Sequence, residues 1–173
     1  MVIWLIGLSG SGKTTLGREL AAQLRQRAPN TVFLDGDEVR ELFGLDRGDQ
    51  PYTLEGRRRN AERLTALCRM LDRQGLHVVC CVLSIFPEMR ARNRDIFSSY
   101  FEVFLDAPLD VLQARDVKGL YAAAREGRMP NVVGLDIPFP RPASADLAID
   151  TSGTPDGLVD IAADVLRKAG LAR

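Results

Sequence analysis

VIWLIGLSGSGKTT, residues 2–15, decides the fold. Its first half is a short, unbroken apolar run that ends in glycine. That is the pattern of a strand buried on both faces, as in a parallel sheet. Its second half, Gly7 to Thr14, fits G-x-x-x-x-G-K-[ST]. Glycines let backbone N–H groups converge on a phosphate with no Cβ in the way, and a helix opening near Lys13 turns its positive end to the same anion. In such a loop the lysine reaches the β- and γ-phosphates and the Thr14 hydroxyl is a ligand for Mg²⁺. A glycine-rich turn arising by chance needs neither the buried strand before it nor the helix after it. The stretch therefore predicts a strand–loop–helix unit that binds nucleotide phosphates with Mg²⁺.

Outward from this unit, the chain alternates. Leu16, Leu20 and Leu24 recur at helical spacing, which predicts a helix from Thr14 to about Arg27. TVFLD (31–35) reads as a strand, 38–43 as a short helix and 44–51 as a loop. From 53 to about 74, Ala61, Leu64, Leu67, Cys68 and Leu71 share one helical face. Residues 77–83 form a third strand, 87–97 a helix with proline in its first turn, 100–105 a fourth strand and 108–114 a helix. A polar stretch with several arginines, about 115–134, has few apolar anchors and reads as a small mobile lid over a transferring phosphoryl group. Residues 136–142 form a proline-rich loop, 147–149 a fifth strand and 155–169 a closing helix. Strands alternating with helices predict an α/β fold, a three-layer sandwich around a five-stranded parallel sheet, within one domain over 1–173.

Composition narrows the function. The 173 residues carry 23 basic and 23 acidic side chains, a formal charge of zero. This gives no basic stripe for nucleic acid, no polybasic membrane anchor and no membrane-length apolar run. Cys68, Cys80 and Cys81 lie on apolar faces without metal-ligand spacing, the pattern of buried reduced thiols in a cytoplasmic protein. Only Lys13, Lys118 and Lys168 are lysine, and neither downstream lysine sits in an N-K-x-D motif, so a GTPase switch is disfavoured. The chain is also too short for a large ATPase motor. A small-molecule kinase remains, with a nucleotide-binding regulatory protein as the alternative of another class.

The second substrate is expected opposite the loop. Asp35-Gly36-Asp37 ends the second strand, at the edge where open α/β sheets bind ligands. Two carboxylates there suit a metal or an attacking hydroxyl. Arg40 follows by three residues, and Arg57 and Asn60 share a helix face, a fork for an anionic acceptor. Arg58 and Arg59 are expected in solvent, and Arg90, Arg92 and Arg94 around a solvated helix. Asp106 and Asp110 are expected to cap the helix after the fourth strand. His77 and Trp4 read as structural.

Together these segments resemble the adenylylsulfate kinase family, which phosphorylates the 3′-hydroxyl of adenosine 5′-phosphosulfate (APS) from ATP. The matching pieces are GLSGSGKTT at 7–15, LDGDEVR at 34–40, Arg57 with Asn60, Ser84, PEMRARNR at 87–94 and FEVFLDAPLDV at 101–111. RDVKGLYAAAR at 115–125, GLDIPF at 134–139 and LAIDT at 147–151 complete the set, in order. The resemblance implies the sheet of nucleoside-kinase-like P-loop proteins and a homodimer. It implies ATP against Gly7, Ser9, Gly10, Ser11, Gly12, Lys13, Thr14, Thr15 and Arg115. Asp37, Arg40, Tyr52, Arg57, Asn60, Ser84, Lys118, Gly119 and Leu120 would hold a nucleotide-type acceptor. Thr14 and Asp35 would hold the metal, and Lys13, Asp35, Asp37 and Lys118 would be catalytic. Ser84 matches a serine that is phosphorylated in some members and contacts the acceptor in others. No histidine or carboxylate adjoins it in sequence, so it is read as an acceptor contact.

The departures from the family pattern fall on the acceptor side. Ser84-Ile85-Phe86 replaces serine-proline-aromatic, Gly56 replaces an aspartate, Pro140 an acid, and Val132-Val133 stand where a second base-stacking ring is usual. Tyr52 matches the first ring. A related branch of the family phosphorylates cytidine diphosphoramidate, whose smaller base has less need of two rings. APS is the leading acceptor and the cytidine compound the alternative.

Overall fold

A computed structural model describes residues 1–44, 52–116, 118–153 and 157–171. Five strands form one parallel sheet in the order β2-β3-β1-β4-β5. They are β1 (Val2–Ile6), β2 (Thr31–Asp35), β3 (His77–Val82), β4 (Tyr100–Asp106) and β5 (Leu147–Asp150). The helices are α1 (Lys13–Arg25), α2 (Gly36–Leu42), α3 (Leu54–Asp72), α4 (Pro87–Ile96), α5 (Leu109–Arg115), α6 (Leu120–Arg125) and α7 (Leu158–Lys168). Among the described residues no helix is long and apolar enough to cross a membrane.

The central strand explains its own composition. All five residues of β1 are buried, since both neighbours and both faces are covered. Ile3 and Leu5 face one layer, where Leu16, Leu20 and Leu24 of α1 meet Ala162, Val165 and Leu166 of α7. Val2, Trp4 and Ile6 face the other, where Val39, Leu64 and Cys68 from α2 and α3 pack with Phe97 and Phe104. The period of two that sends alternate side chains to opposite faces is hidden in sequence because both faces are apolar. The three cysteines are free and buried.

Two expectations are corrected. The 115–134 stretch contains a helix, α6, and has firm apolar anchors. Tyr121 and Val132 are each 1% exposed and pack with Ala107 and Leu112. The Tyr121 hydroxyl donates to the Ser9 carbonyl at 3.1 Å, tying α6 to the loop after β1. Asp106 and Asp110 make no side-chain cap on α5, whose N-cap is Pro108. Asp106 instead pairs with Arg141. The expected 44–51 loop lies outside the described residues beyond Gly44, as does the expected start of the last helix at 155–156.

Candidate active site

The chain leaves β1 at the carboxyl edge of the sheet, between β3 and β4. That is where the strand order reverses and where ligands bind in such sheets. The turn into α1 is built on glycine: Gly10 and Gly12 have φ of 80° and 91°, and Gly12 is the left-handed N-cap of α1. With no side-chain cap on α1, its first N–H groups are left for a ligand. Beneath the loop, α1 touches β3 at Gly17. A Cβ there would run into the Cys81 sulfur and meet the Phe33 ring at 2.9 Å. The Cys81 thiol, kept protonated by burial beside Asp35, donates to the Lys13 carbonyl at 3.1 Å. Loop, helix and strand are thus locked together under the anion site.

A cleft of about 990 Å³ opens above this edge. Its donor wall carries Ser9, Gly10, Gly12, Lys13, Thr14 and Thr15. Lys13 is half-buried, with Nζ donating to the Leu8 carbonyl at 2.8 Å. Burial pulls this ammonium below the usual lysine value, and Cys81, Asp37 and Asp35 oppose the shift. A poorly solvated cation on a bare carbonyl is poised for a stronger anionic partner. The Ser11 hydroxyl oxygen is buried and unpartnered among the described residues. Gly7, Ser11 and Arg115 do not line the cleft. Both Arg115 contacts are carbonyls after β5, with Nη2 donating to Ser152 and Gly153 at 2.9 and 2.8 Å.

Between the walls stand two carboxylates in different settings. Asp35 caps α2 through the Asp37 N–H at 2.9 Å and accepts the Thr14 hydroxyl at 2.6 Å. Asp37 accepts Arg40 at 3.0 Å and Lys118 at 2.7 Å. Burial pushes the Asp37 carboxyl up. The Lys118 hydrogen bond and the charges of Lys118, Arg40 and Lys13 outweigh this and hold it below the usual carboxylate value. The same bond raises Lys118.

The acceptor wall carries Arg40, Tyr52, Arg57, Asn60, Ser84, Phe86, Gly119 and Leu120, with Asn131, Val132 and Val133. The Arg40 and Arg57 guanidiniums lie 5.5 and 5.7 Å from the Tyr52 ring centroid. Arg57 is not a free fork: it donates to the carbonyls of Tyr52 at 3.0 Å and Asn131 at 2.8 Å. Asn60 Oδ1 and Arg40 Nε are buried without a partner among the described residues. Val132 and Val133 turn into apolar clusters and present no ring. Arg58 is not simply solvated; it lies 4.3 Å over the Phe86 ring and pairs with Glu88. Arg90 is buried, donates to the Ser84 carbonyl at 2.9 Å and lies 3.9 Å from Glu102. Sequence reasoning missed Glu102, Asn131 and this use of Arg90. A lone glutamate inside the apolar strand FEVFL was the available signal, since a buried carboxylate needs a buried partner.

A parallel sheet with a phosphate-binding loop at the end of its central strand, facing a cationic second wall across paired carboxylates, defines the P-loop kinase class. Residues 1–150 match the family model described as Adenylylsulphate kinase, and the chain belongs to that family. It is 41% identical over 157 residues to the adenylyl-sulfate kinase of Paraburkholderia xenovorans, covering 89% of this chain and 85% of the relative. It is 39% identical over 151 residues to the cytidine diphosphoramidate kinase of Campylobacter jejuni, covering 87% and 86%. The Mycobacterium tuberculosis APS kinase, solved in complex with AMPPNP and APS, superposes with a TM-score of 0.84 at 30% identity over 98% of this chain and 96% of that one. The chain is an ATP-dependent phosphotransferase.

Proposed function

We propose that the chain transfers the γ-phosphoryl group of ATP to the 3′-hydroxyl of adenosine 5′-phosphosulfate. The observation that carries this is the cleft itself. A complete phosphate loop faces a second wall where, among the described residues, Arg40 Nε is left to donate to an anion and Asn60 Oδ1 to accept from a ligand hydroxyl or amino group. Lys13 and the N–H groups opening α1 bind the donor phosphates. Thr14 and Asp35 offer adjacent hard oxygens, the donor type Mg²⁺ takes, and would hold it. When bound, Mg²⁺ neutralises charge on the donor phosphates.

Asp37 is a poor proton sink because Lys118 and Arg40 hold it ionised. In a loose phosphoryl transfer the hydroxyl proton leaves late, so orientation matters more than basicity. Asp37 therefore accepts a hydrogen bond from the attacking hydroxyl and aims it. Lys118, on the 115–134 lid, moves its charge from Asp37 toward the transferring group. Ser84 contacts the acceptor and is not an intermediate, since in-line transfer requires none.

Two observations favour cytidine diphosphoramidate as a second reading. One is the Campylobacter jejuni relative. The other is the burial of Val132 and Val133, which leaves Tyr52 and Phe86 as the rings of the acceptor wall. The test is acceptor-dependent ADP release with both compounds, compared as kcat/KM. Turnover of APS far above the cytidine compound is expected. The reverse assigns the second reading, and silence with both sinks the pair. Val132→Phe is not a clean probe, because Val132 is packed rather than facing an acceptor base.

A further inference from the structure

We propose that Arg90, which lies outside the cleft, is a positioning residue for the acceptor. It holds the Ser84 peptide in a left-handed conformation that sets this stretch of the acceptor wall. The proposal rests on the reading of Ser84 as an acceptor contact. Ser84 has φ of 54°, and it and Asn131, at 64°, are the non-glycine residues that stand in the left-handed region among the described residues. Such backbone is costly for a residue with a Cβ and persists only where its surroundings hold it. Both residues line the same wall. In both, an arginine grips the carbonyl: Arg90 at Ser84, 2.9 Å, and Arg57 at Asn131, 2.8 Å.

Arg90 can act as a strut because its other end is fixed. Its Nε lies 3.9 Å from Glu102 Oε1, and both side chains are buried. Glu102 belongs to β4, opposite Trp4 of the central strand, and its other oxygen accepts the Tyr100 hydroxyl at 2.7 Å. A line of polar contacts therefore runs from the middle of the sheet to Ser84. A buried ion pair alone is weak evidence of stabilisation, since apolar residues of similar volume often serve as well. What an apolar pair does not supply is a directed N–H for the Ser84 carbonyl.

The test removes the strut without stranding a buried charge. Arg90→Gln combined with Glu102→Gln should return Ser84 to negative φ in a crystal structure of the variant. KM for the acceptor should rise about tenfold while KM for ATP stays within about twofold. In a Ser84→Gly background, where positive φ carries no penalty, the same paired change should raise acceptor KM by less than about threefold. Ser84 remaining at positive φ overturns the proposal. So does a joint rise of both KM values, or an equal effect in the Ser84→Gly background. If the paired variant fails to fold, Arg90→Lys keeps the charge near Glu102 while shortening the reach to Ser84, and the same readouts decide. Kinetics are run with APS and with cytidine diphosphoramidate. A wild type silent with both overturns the acceptor reading and the kinetic half of this proposal, while the Ser84 geometry still decides the strut.

Discussion

The two walls of the cleft are built by opposite means. The donor wall is drawn from one short segment, Gly7 to Thr15, shaped by glycine dihedrals and by the start of one helix. The acceptor wall gathers residues from α2, α3, the end of β3 and the segment around α6, held in place by arginines on backbone carbonyls and carboxylates. The donor wall grips a phosphate, which every nucleoside triphosphate shares, and backbone N–H groups suffice for it. The acceptor wall must tell one compound from another, and that takes side chains whose positions depend on distant neighbours. A wall of the second kind can change its substrate by few substitutions while the first stays intact. The coexistence of APS and cytidine diphosphoramidate kinases among this chain's relatives is in keeping with that division.

The sharpest contrast comes from Lys13→Ala. It removes the desolvated cation of the donor wall, and kcat should fall by about three orders of magnitude or more with either acceptor. Far-ultraviolet circular dichroism and melting should stay near wild type. Near-normal acceptor-dependent ADP release would break the assignment of the donor wall.

Lys118→Ala tests the junction of the walls. It should lower kcat about 10–100-fold and leave KM for ATP within about twofold, since it removes an interaction made mainly in the transition state. A large rise in KM for ATP alone would move Lys118 to the donor wall.

Gly17→Ala probes the support under the donor loop. In an open helix this change gains about 1 kcal/mol. Here the new methyl runs into Cys81 and Phe33, so a loss of about 1–3 kcal/mol is expected, read by chemical denaturation. A rise in stability would show that α1 and β3 have room to separate.

The smallest effect concerns Asp37 and acid. Its folded-state pKa lies below the ordinary aspartate value, so its contribution to stability is present above about pH 4 and fades as pH falls through the lower folded value. The Asp37 and Lys118 side chains are 56% and 63% exposed, so the pair is worth only about 0–1 kcal/mol. Lys118→Ala should thus alter the melting temperature slightly at pH 7, with less difference at pH 3. The catalytic loss in the same variant should be far larger. A comparable drop in stability would recast Lys118 as a structural residue.

How legible each part was follows the same division. The strands, their parallel direction and the donor loop were open to sequence reasoning because each follows from adjacent residues: apolar runs alternating with helices, a glycine, a lysine. Asp37, Arg40, Arg57 and Asn60 were named from the sequence and line one cleft in the structure, but what they touch was not legible. Helical spacing placed Arg57 and Asn60 on one face. It carried no sign that Arg57 would grip Asn131, 74 residues away. Arg90, Arg92 and Arg94 looked alike as alternate charges on a short helix. The fold separates them: the sheet beneath offers Glu102 to Arg90, and Arg94 is not solvated either but pairs with Asp146 and lies over the Tyr100 ring. The lid looked bare because Tyr121, Met129 and Val132 are scattered among charges in sequence and converge only when α6 folds back onto α5.

Trp4 gives this fold an optical consequence. It is the single tryptophan of the chain, buried in the central strand, with the rings of Phe97 and Tyr100 at 6.3 and 6.5 Å. A central strand is among the last segments to open, whereas cleft-lining segments open first. Its fluorescence should therefore report the loss of the whole sheet and stay silent while α6 moves. Comparing that emission with a label placed near Lys118 would time the two events separately in one sample.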